Sequence, residues 1–131
     1  MKKLGREDLL YPELSYKIVG ILFEVSNALG HRYQERYYQR AVAAFFRKAG
    51  VKFKEQVPVR TTVQDSPVTK GLIDFLVEGQ IVLELKKGER FLKQNIEQVY
   101  GYLKATGLKL GIIANFTSRG LQFKRIVNLH S

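Results

Sequence analysis

The chain has 131 residues, of which 45% are hydrophobic and 26% charged, as is typical of one soluble globular domain with its own core. It contains no cysteine, which excludes disulfides, Cys-ligated zinc and thiol nucleophiles. Its formal net charge of +10 favours a polyanionic partner, nucleic acid before an anionic membrane. We therefore expect a single domain over residues 1–131 that binds a polyanion.

The start of the chain shows no targeting or membrane signal. Lys2 and Lys3 lead into polar residues rather than the apolar run that a secretory signal requires. No stretch is long and apolar enough to span a membrane. We expect a cytoplasmic protein without a membrane partner, in which residues 1–12 form a loosely ordered lead-in.

A first helix is predicted from Glu13 or Ser15 to Leu29, because apolar residues recur there at helical spacing. Gly30 is placed to end this helix as a C-cap. The apolar stripe is expected to face the core.

A second helix is predicted from about Tyr33 to Ala49. Its expected inner stripe consists of Tyr37, Ala41, Ala44 and Phe45. Glu35 lies in the first turn, where the helix dipole favours a carboxylate by about 0.3–1 kcal/mol. The same carboxylate could instead serve as an acid over a functional site, and the residues alone leave both roles open.

The middle of the chain is rich in strand-forming residues. Phe53 to Val63 predicts a first strand, in which Pro58 indicates an edge position or a strand end. Residues 64–67 predict a turn. Leu72 to Val77 and Ile81 to Lys86 then predict the two strands of a β-hairpin.

Three charged residues, Asp74, Glu84 and Lys86, stand in this hairpin among aliphatic neighbours. Both faces of the hairpin are largely apolar, so we expect both to be covered by other parts of the protein. A buried charge is costly unless it is paired, bound to a cation or placed in a cleft. The three residues are therefore candidates for a metal site or for a structural ion-pair network.

The turn at residues 78–80 decides whether the two carboxylates meet. A three-residue loop pairs Val77 with Ile81 and puts Asp74 and Glu84 on one face, whereas a two-residue loop separates them. Two carboxylates at close range repel each other, and their oxygens suit a hard cation such as Mg²⁺.

A third helix is predicted from about Phe91 to Ala105. Gln98 and Tyr102 lie four residues apart on one face of it, so one ligand could meet both; the alternative is ordinary packing. Two strands follow, at residues 108–116 and 121–127. The order α-α-β-β-β-α-β-β predicts an α/β fold, a mixed sheet flanked by helices.

Two motifs in the second half resemble those of known nucleases. Asp74, a nine-residue spacer and Glu84-Leu85-Lys86 resemble the Asp...Glu-x-Lys signature of the PD-(D/E)xK nuclease superfamily, with Ile73 in place of its Pro. The segment from Gln98 to Tyr102 resembles the Gln-x-x-x-Tyr motif of RecB-like branches of that superfamily.

The first half resembles the family named for its GxxExxY motif. The similar segments are residues 24–25, 29–30 and 32–38, which include Glu35 and Tyr38. Arg32 stands where that family has its first Gly, so the local turn before Glu35 departs from the pattern.

The resemblance implies a restriction-endonuclease-like fold and a nuclease that depends on Mg²⁺ or Mn²⁺ and cleaves nucleic acid, DNA in the first place. The metal ligands it implies are Asp74, Glu84 and the backbone carbonyl of Leu85. Lys86 would orient or activate water and stabilise negative charge at the phosphodiester.

The remaining roles follow from the same resemblance. Glu35 would complete or orient the water shell, and Gln98 and Tyr102 would hold the scissile strand. The basic residues expected to contact phosphates include Arg36, Arg40, Lys87, Arg90, Lys93 and Lys104.

Two alternatives stay open from the sequence. The first is a nucleic-acid-binding module that has kept this fold and lost turnover. The second is a protein-interaction or dimerisation domain whose charged residues form an ion-pair network, with a homodimer as one arrangement.

Overall fold

The structure is a computed structural model that describes residues 10–129. Residues 1–9 of the predicted lead-in, residues 1–12, therefore lie outside the described residues. Its last residue, Pro12, already belongs to a helix and occupies the first turn, where the missing N–H of proline is tolerated. None of the helices described is long and apolar enough to cross a membrane.

Three helices and five strands follow in the predicted order. They are α1 (Pro12–Leu29), α2 (Glu35–Lys48), β1 (Phe53–Val63), β2 (Ser66–Val77), β3 (Ile81–Lys87), α3 (Lys93–Thr106), β4 (Leu110–Thr117) and β5 (Gly120–Val127). The predicted element order is thus confirmed, with boundaries that shift mainly at β2 and α3.

The five strands form one mixed sheet in chain order, β1-β2-β3-β4-β5. β3 and β4 run parallel and are joined through α3, while the other neighbours are antiparallel. β1 is an edge strand, which confirms the position predicted from Pro58, a residue that cannot donate a backbone hydrogen bond.

Helices cover both faces of the sheet. α1 and α2 enclose one core cluster, which includes Phe46, Phe75 and Leu83. α3 encloses a second cluster on the opposite face, with Val82 and Ile113 among its buried residues. β4 is buried along its whole length because it lies between these two layers.

The inner stripe predicted for α2 is wrong by one residue. The buried positions are Tyr38, Val42, Ala43 and Phe46, while Tyr37 is 38% exposed. Adjacent aromatic residues at 37–38 allow either phase, and long-range contacts choose between them. Tyr38 stacks on Phe116 at 4.3 Å between ring centroids, and its hydroxyl donates to the Gly30 carbonyl at 2.6 Å.

The turn before β2 is shorter than predicted. Val63 pairs with Ser66, so only Gln64 and Asp65 form the loop, and both have positive φ. This is the two-residue turn that suits the twist of a hairpin, and it lets β2 begin at Ser66 and include Pro67.

The predicted cover over both faces of the hairpin is wrong for the first part of β2. Leu72 is 47% exposed, so this part of the hairpin is open to solvent on one side. Ile73 packs in the cluster under α3, whereas Phe75 packs under α2. Phe75 is the last residue of β2 that pairs with β3, and Ile73 lies beyond it. The alternation of side chains between the two faces of the sheet therefore does not predict the face of Ile73.

Candidate active site

The hairpin of β2 and β3 has the three-residue loop that brings the two carboxylates together. Val77 pairs with Ile81 and Phe75 with Leu83, which sets Asp74 opposite Glu84. Glu78 and Gly79 take positive φ in this loop, and the Gln80 N–H donates to the Val77 carbonyl at 2.9 Å. The predicted register is confirmed.

Side-chain carboxylates replace the backbone ladder beyond Phe75. The Asp74 N–H donates to Glu84 Oε1 at 2.8 Å, and the Leu85 N–H donates to Asp74 Oδ2 at 2.8 Å. Each strand thus binds the carboxylate of the other, and the two acids are held face to face. Because the N–H and C=O of one strand residue point the same way, the Leu85 carbonyl also faces Asp74.

This arrangement raises the pKa of Glu84 to about 8. The main cause is burial, since the residue is 3% exposed, and the second is the negative charge of Asp74. The hydrogen bond from the Asp74 backbone and the positive charge of Lys86 act in the opposite direction. At neutral pH Glu84 therefore holds a proton, which a bound cation could replace.

Glu35, at the first residue of α2, lines an open cleft of about 340 Å³ together with Lys86. Lys87, Arg90 and Asn115 lie along the same cleft. The pKa of Glu35 is raised by partial burial, lowered by the charge of Lys86 and raised by that of Asp74. The structure therefore brings Glu35 to the carboxylate pair, as the functional reading of its position requires.

Tyr102 approaches the pair from α3, and Gln98 lies beside Tyr102. Tyr102 is 2% exposed, and its pKa is raised by burial and then by the charges of Glu84 and Asp74. A hydrogen bond with Gln98 acts in the opposite direction. The Tyr102 hydroxyl lies against the backbone of β2, where a Cβ at Gly71 would overlap it.

The predicted phosphate-contacting residues fall into three places. Lys87 and Arg90 line the cleft. Arg36 and Arg40 are exposed on α2 beside Glu35 and hold the Tyr37 ring, at 5.1 Å and 5.8 Å from its centroid. Two residues on α3 do not line the cleft: Lys93 pairs with Glu97 at 3.8 Å, and Lys104 lies over the Tyr100 ring.

Three polar residues near the acids have no role in the sequence-based prediction. Gln56 Nε2 donates to Asp74 Oδ1 at 3.4 Å from a residue with φ of 51°, an uncommon backbone in a strand. Gln39 Nε2 donates to the Asp74 carbonyl at 3.3 Å. Asn115 is buried beside Lys86. Only Asn115 had a sequence signal, as a polar residue inside the apolar run of β4.

The side chains present offer two carboxylates to a metal. Within residues 10–129, no three His, Cys, Asp or Glu side chains converge as a ready-made metal site. Asp74 and Glu84 nevertheless fit a hard cation, because both are oxygen donors, and a cation would offset the burial and the charge of Asp74 that raise the pKa of Glu84.

Comparison with known proteins identifies a sequence family and similar folds. A sequence profile described as the PD-(D/E)XK nuclease superfamily matches residues 12–126. No curated protein sequence matches the chain. The crystal structure of SSO0001 is similar over 94% of this chain, with 20% identity and a TM-score of 0.58; the chain spans 61% of the length of SSO0001.

A second solved structure is the alkaline exonuclease LHK-Exo from Laribacter hongkongensis, with 12% identity and a TM-score of 0.48. The match covers 87% of this chain and 82% of that one. Together with the profile match, the likeness to SSO0001 confirms the predicted restriction-endonuclease-like fold.

Proposed function

The chain belongs to the PD-(D/E)XK nuclease superfamily, and we propose that it is a Mg²⁺-dependent nuclease that hydrolyses phosphodiester bonds, those of DNA in the first place. The observation that carries this proposal is the carboxylate pair of Asp74 and Glu84, held face to face by reciprocal backbone hydrogen bonds beside Lys86. Within the superfamily we assign the chain to the GxxExxY family on Glu35 and Tyr38, and to the RecB-like branch on Gln98 and Tyr102.

Asp74, Glu84 and the Leu85 carbonyl would hold the metal, Mg²⁺ or Mn²⁺. When bound there, a divalent ion supplies charge neutralisation and lowers the pKa of its water. The raised pKa of metal-free Glu84 supports this role, because a bound cation would offset the cost of a buried negative charge beside Asp74. The raised pKa of Glu84 also implies that metal binding releases a proton.

The other side chains of the cleft act on the phosphodiester and the attacking water. The Lys86 ammonium is half-buried at the cleft and stabilises negative charge that develops on the phosphoryl oxygens. The Glu35 carboxyl accepts a hydrogen bond from the attacking water and orients it. These two roles divide the chemistry between charge stabilisation and positioning.

Gln98 and Tyr102 hold the scissile strand beside the two acids. Their four-residue spacing puts both side chains on one face of α3, and the negative charges of Glu84 and Asp74 raise the pKa of Tyr102. Lys87, Arg90 and Arg36 contact neighbouring phosphates through the cleft and the exposed side of α2. Lys93 and Lys104 remain predicted phosphate contacts outside the cleft.

The contacts of the site favour this function over a structural ion-pair network. The ion pairs present in the described part of the chain join Arg47 to Glu55 and Lys93 to Glu97, and neither includes Lys86. The carboxylates bind backbone N–H groups instead. A single domain, a homodimer and a cytoplasmic location stay predictions from the sequence.

The test is a cleavage assay on single-stranded, duplex and branched DNA and on RNA, with Mg²⁺, with Mn²⁺ and with EDTA. We expect metal-dependent cleavage by the parent protein and none by Asp74→Asn or Glu84→Gln. Isothermal titration should show weaker metal binding by both variants, since each loses a ligand.

A matched control is Asp65→Asn, which changes an exposed carboxylate in the β1–β2 turn. It should cleave like the parent protein. Specific nucleic-acid binding without cleavage under any metal condition would instead identify a binding module that has lost turnover.

A further inference from the structure

Asn115 is a buried polar side chain without a hydrogen-bond partner. It is 1% exposed, and its Oδ1 is the one buried side-chain polar atom within residues 10–129 that has no partner. Buried polar groups nearly always have partners, because an unsatisfied one costs free energy. Stability of the fold therefore does not explain why asparagine occupies this position.

Asn115 lies beside Lys86 at the cleft. The two residues are opposite each other in the parallel pair of β3 and β4, so their side chains leave the same face of the sheet. Both line the cleft that contains Glu35. In the described structure no hydrogen bond or ion pair engages the Lys86 ammonium. The Asn115 Oδ1 acceptor, which has no donor, thus lies on the same face as the Lys86 ammonium, which has no acceptor.

We propose that Asn115 is a positioning residue that acts through Lys86, an inference that rests on the proposed nuclease function. When a phosphate of nucleic acid enters the cleft, Lys86 Nζ donates one hydrogen bond to that phosphate and a second to Asn115 Oδ1. Asn115 Oδ1, which has no partner without substrate, then accepts a hydrogen bond when substrate is bound.

The chemistry of the two groups supports this assignment. An ammonium has three donors and no acceptor, so a single phosphate contact leaves it free to turn on its flexible stem. A second, fixed acceptor restricts that motion. An amide oxygen is neutral, so it holds the ammonium without cancelling the positive charge that the phosphate attracts, as an aspartate at this position would.

A second buried asparagine provides a matched comparison. Asn128 is 2% exposed, and its Nδ2 donates to the Leu108 carbonyl at 3.4 Å. Its backbone N–H also donates to the Lys109 carbonyl, at 2.9 Å. Asn128 therefore satisfies its polar groups within the fold, whereas Asn115 does not.

Thermal melts in EDTA compare Asn115→Leu with Asn128→Leu, since leucine keeps the branched shape of asparagine and removes its polar groups. Asn115→Leu should melt at or above the temperature of the parent protein, because it removes an unsatisfied amide. Asn128→Leu should melt about 5 °C lower, because it leaves the Leu108 carbonyl unpaired. A similar loss in both variants would make Asn115 an ordinary structural residue and overturn the inference.

A binding cycle then tests the coupling to Lys86 without relying on catalysis. The affinity of a short DNA duplex is measured in EDTA for the parent protein, Lys86→Ala, Asn115→Leu and the double variant. Each single variant should bind about tenfold more weakly, and the double variant no more weakly than Lys86→Ala. Independent losses that multiply in the double variant would overturn the role through Lys86.

The outcomes separate this inference from the proposed function. A parent protein that binds and cleaves nucleic acid while Asn115→Leu behaves like the parent leaves the nuclease intact and refutes the positioning role. A parent protein that neither binds nor cleaves nucleic acid refutes the proposed function, and the inference with it.

Discussion

Raising the pH of the metal-free protein should lower its free energy of unfolding, because Glu84 must lose a buried proton. The pKa of Glu84 is about 8 in the folded protein, against an ordinary value of 4.5. Between these values the folded state holds a proton that the unfolded state has released. The free energy of unfolding therefore falls by about 1.4 kcal/mol per pH unit.

The total loss is about 5 kcal/mol, a large share of the roughly 5–15 kcal/mol that stabilises an ordinary domain. The contribution of Glu84 is complete below about pH 4.5 and is lost as the pH rises through about 8. Glu89 acts in the opposite sense, since hydrogen bonds from Ser118 lower its pKa. The contribution of Glu89 to stability changes only at acid pH, so it does not overlap with the pH range in which Glu84 loses its proton.

The assay is urea unfolding in EDTA at intervals from about pH 5 to about pH 8, for the parent protein, Glu84→Gln and Asp65→Asn. Glu84→Gln cannot release a proton at this position, so most of the pH dependence should disappear. Asp65→Asn should keep the dependence of the parent protein. Adding Mg²⁺ at about pH 8 should restore stability to the parent protein and much less to Glu84→Gln.

Two results would refute this reasoning. Stability that stays level or rises across the window would show that Glu84 is not held as a buried acid. An unchanged slope in Glu84→Gln would assign the proton to another group. Either result would also remove the support that the raised pKa of Glu84 gives to metal binding at this pair of acids.

Three further predictions concern the groups around the acids. Lys86→Ala should abolish cleavage while metal binding persists and the free energy of unfolding changes by less than about 1 kcal/mol. Lys109→Ala, at an exposed lysine, is the control that should still cleave. A stability loss of about 3–5 kcal/mol in Lys86→Ala would indicate an ion-pair network instead. Gly71→Ala should cost about 1–3 kcal/mol in thermal or urea unfolding, because its methyl group meets the Tyr102 hydroxyl, and Tyr102→Phe should relieve part of that loss. The affinity for duplex DNA should fall with a salt slope of about 0.9 per neutralised phosphate, and Arg36→Ala should lower the slope by about 1; a flat salt dependence of the parent protein would argue against a polyanion partner.

Local patterns were sufficient to predict the elements and to narrow the register of the central hairpin to two choices. Strand-forming runs on either side of residues 78–80 leave few ways to pair, and the glycine there suits a three-residue loop. Hydrophobic periodicity likewise located the helices and their order. The acids Asp74 and Glu84 stood out because a charge inside an apolar strand is costly without a partner.

Local patterns could not choose between equivalent phases or show distant partners. Tyr37 and Tyr38 suit an inner helical position equally well, and only the contacts of Tyr38 with Gly30 and Phe116 decide which one is buried. The two-residue turn that extends β2 back to Ser66 depends on pairing with β1 over its full length.

The environment of the acids was decided by tertiary structure alone. The cross-strand bonds between Asp74 and Leu85 and the contact of Gln56 with Asp74 join separate strands, and their geometry depends on where β2 leaves β3. The unsatisfied oxygen of Asn115 is likewise a property of the packed neighbourhood. The sequence determined which residues are candidates for the chemistry, because residue type and local spacing are written in it. The tertiary structure decided their burial, pKa and partners, because these depend on residues far apart along the chain.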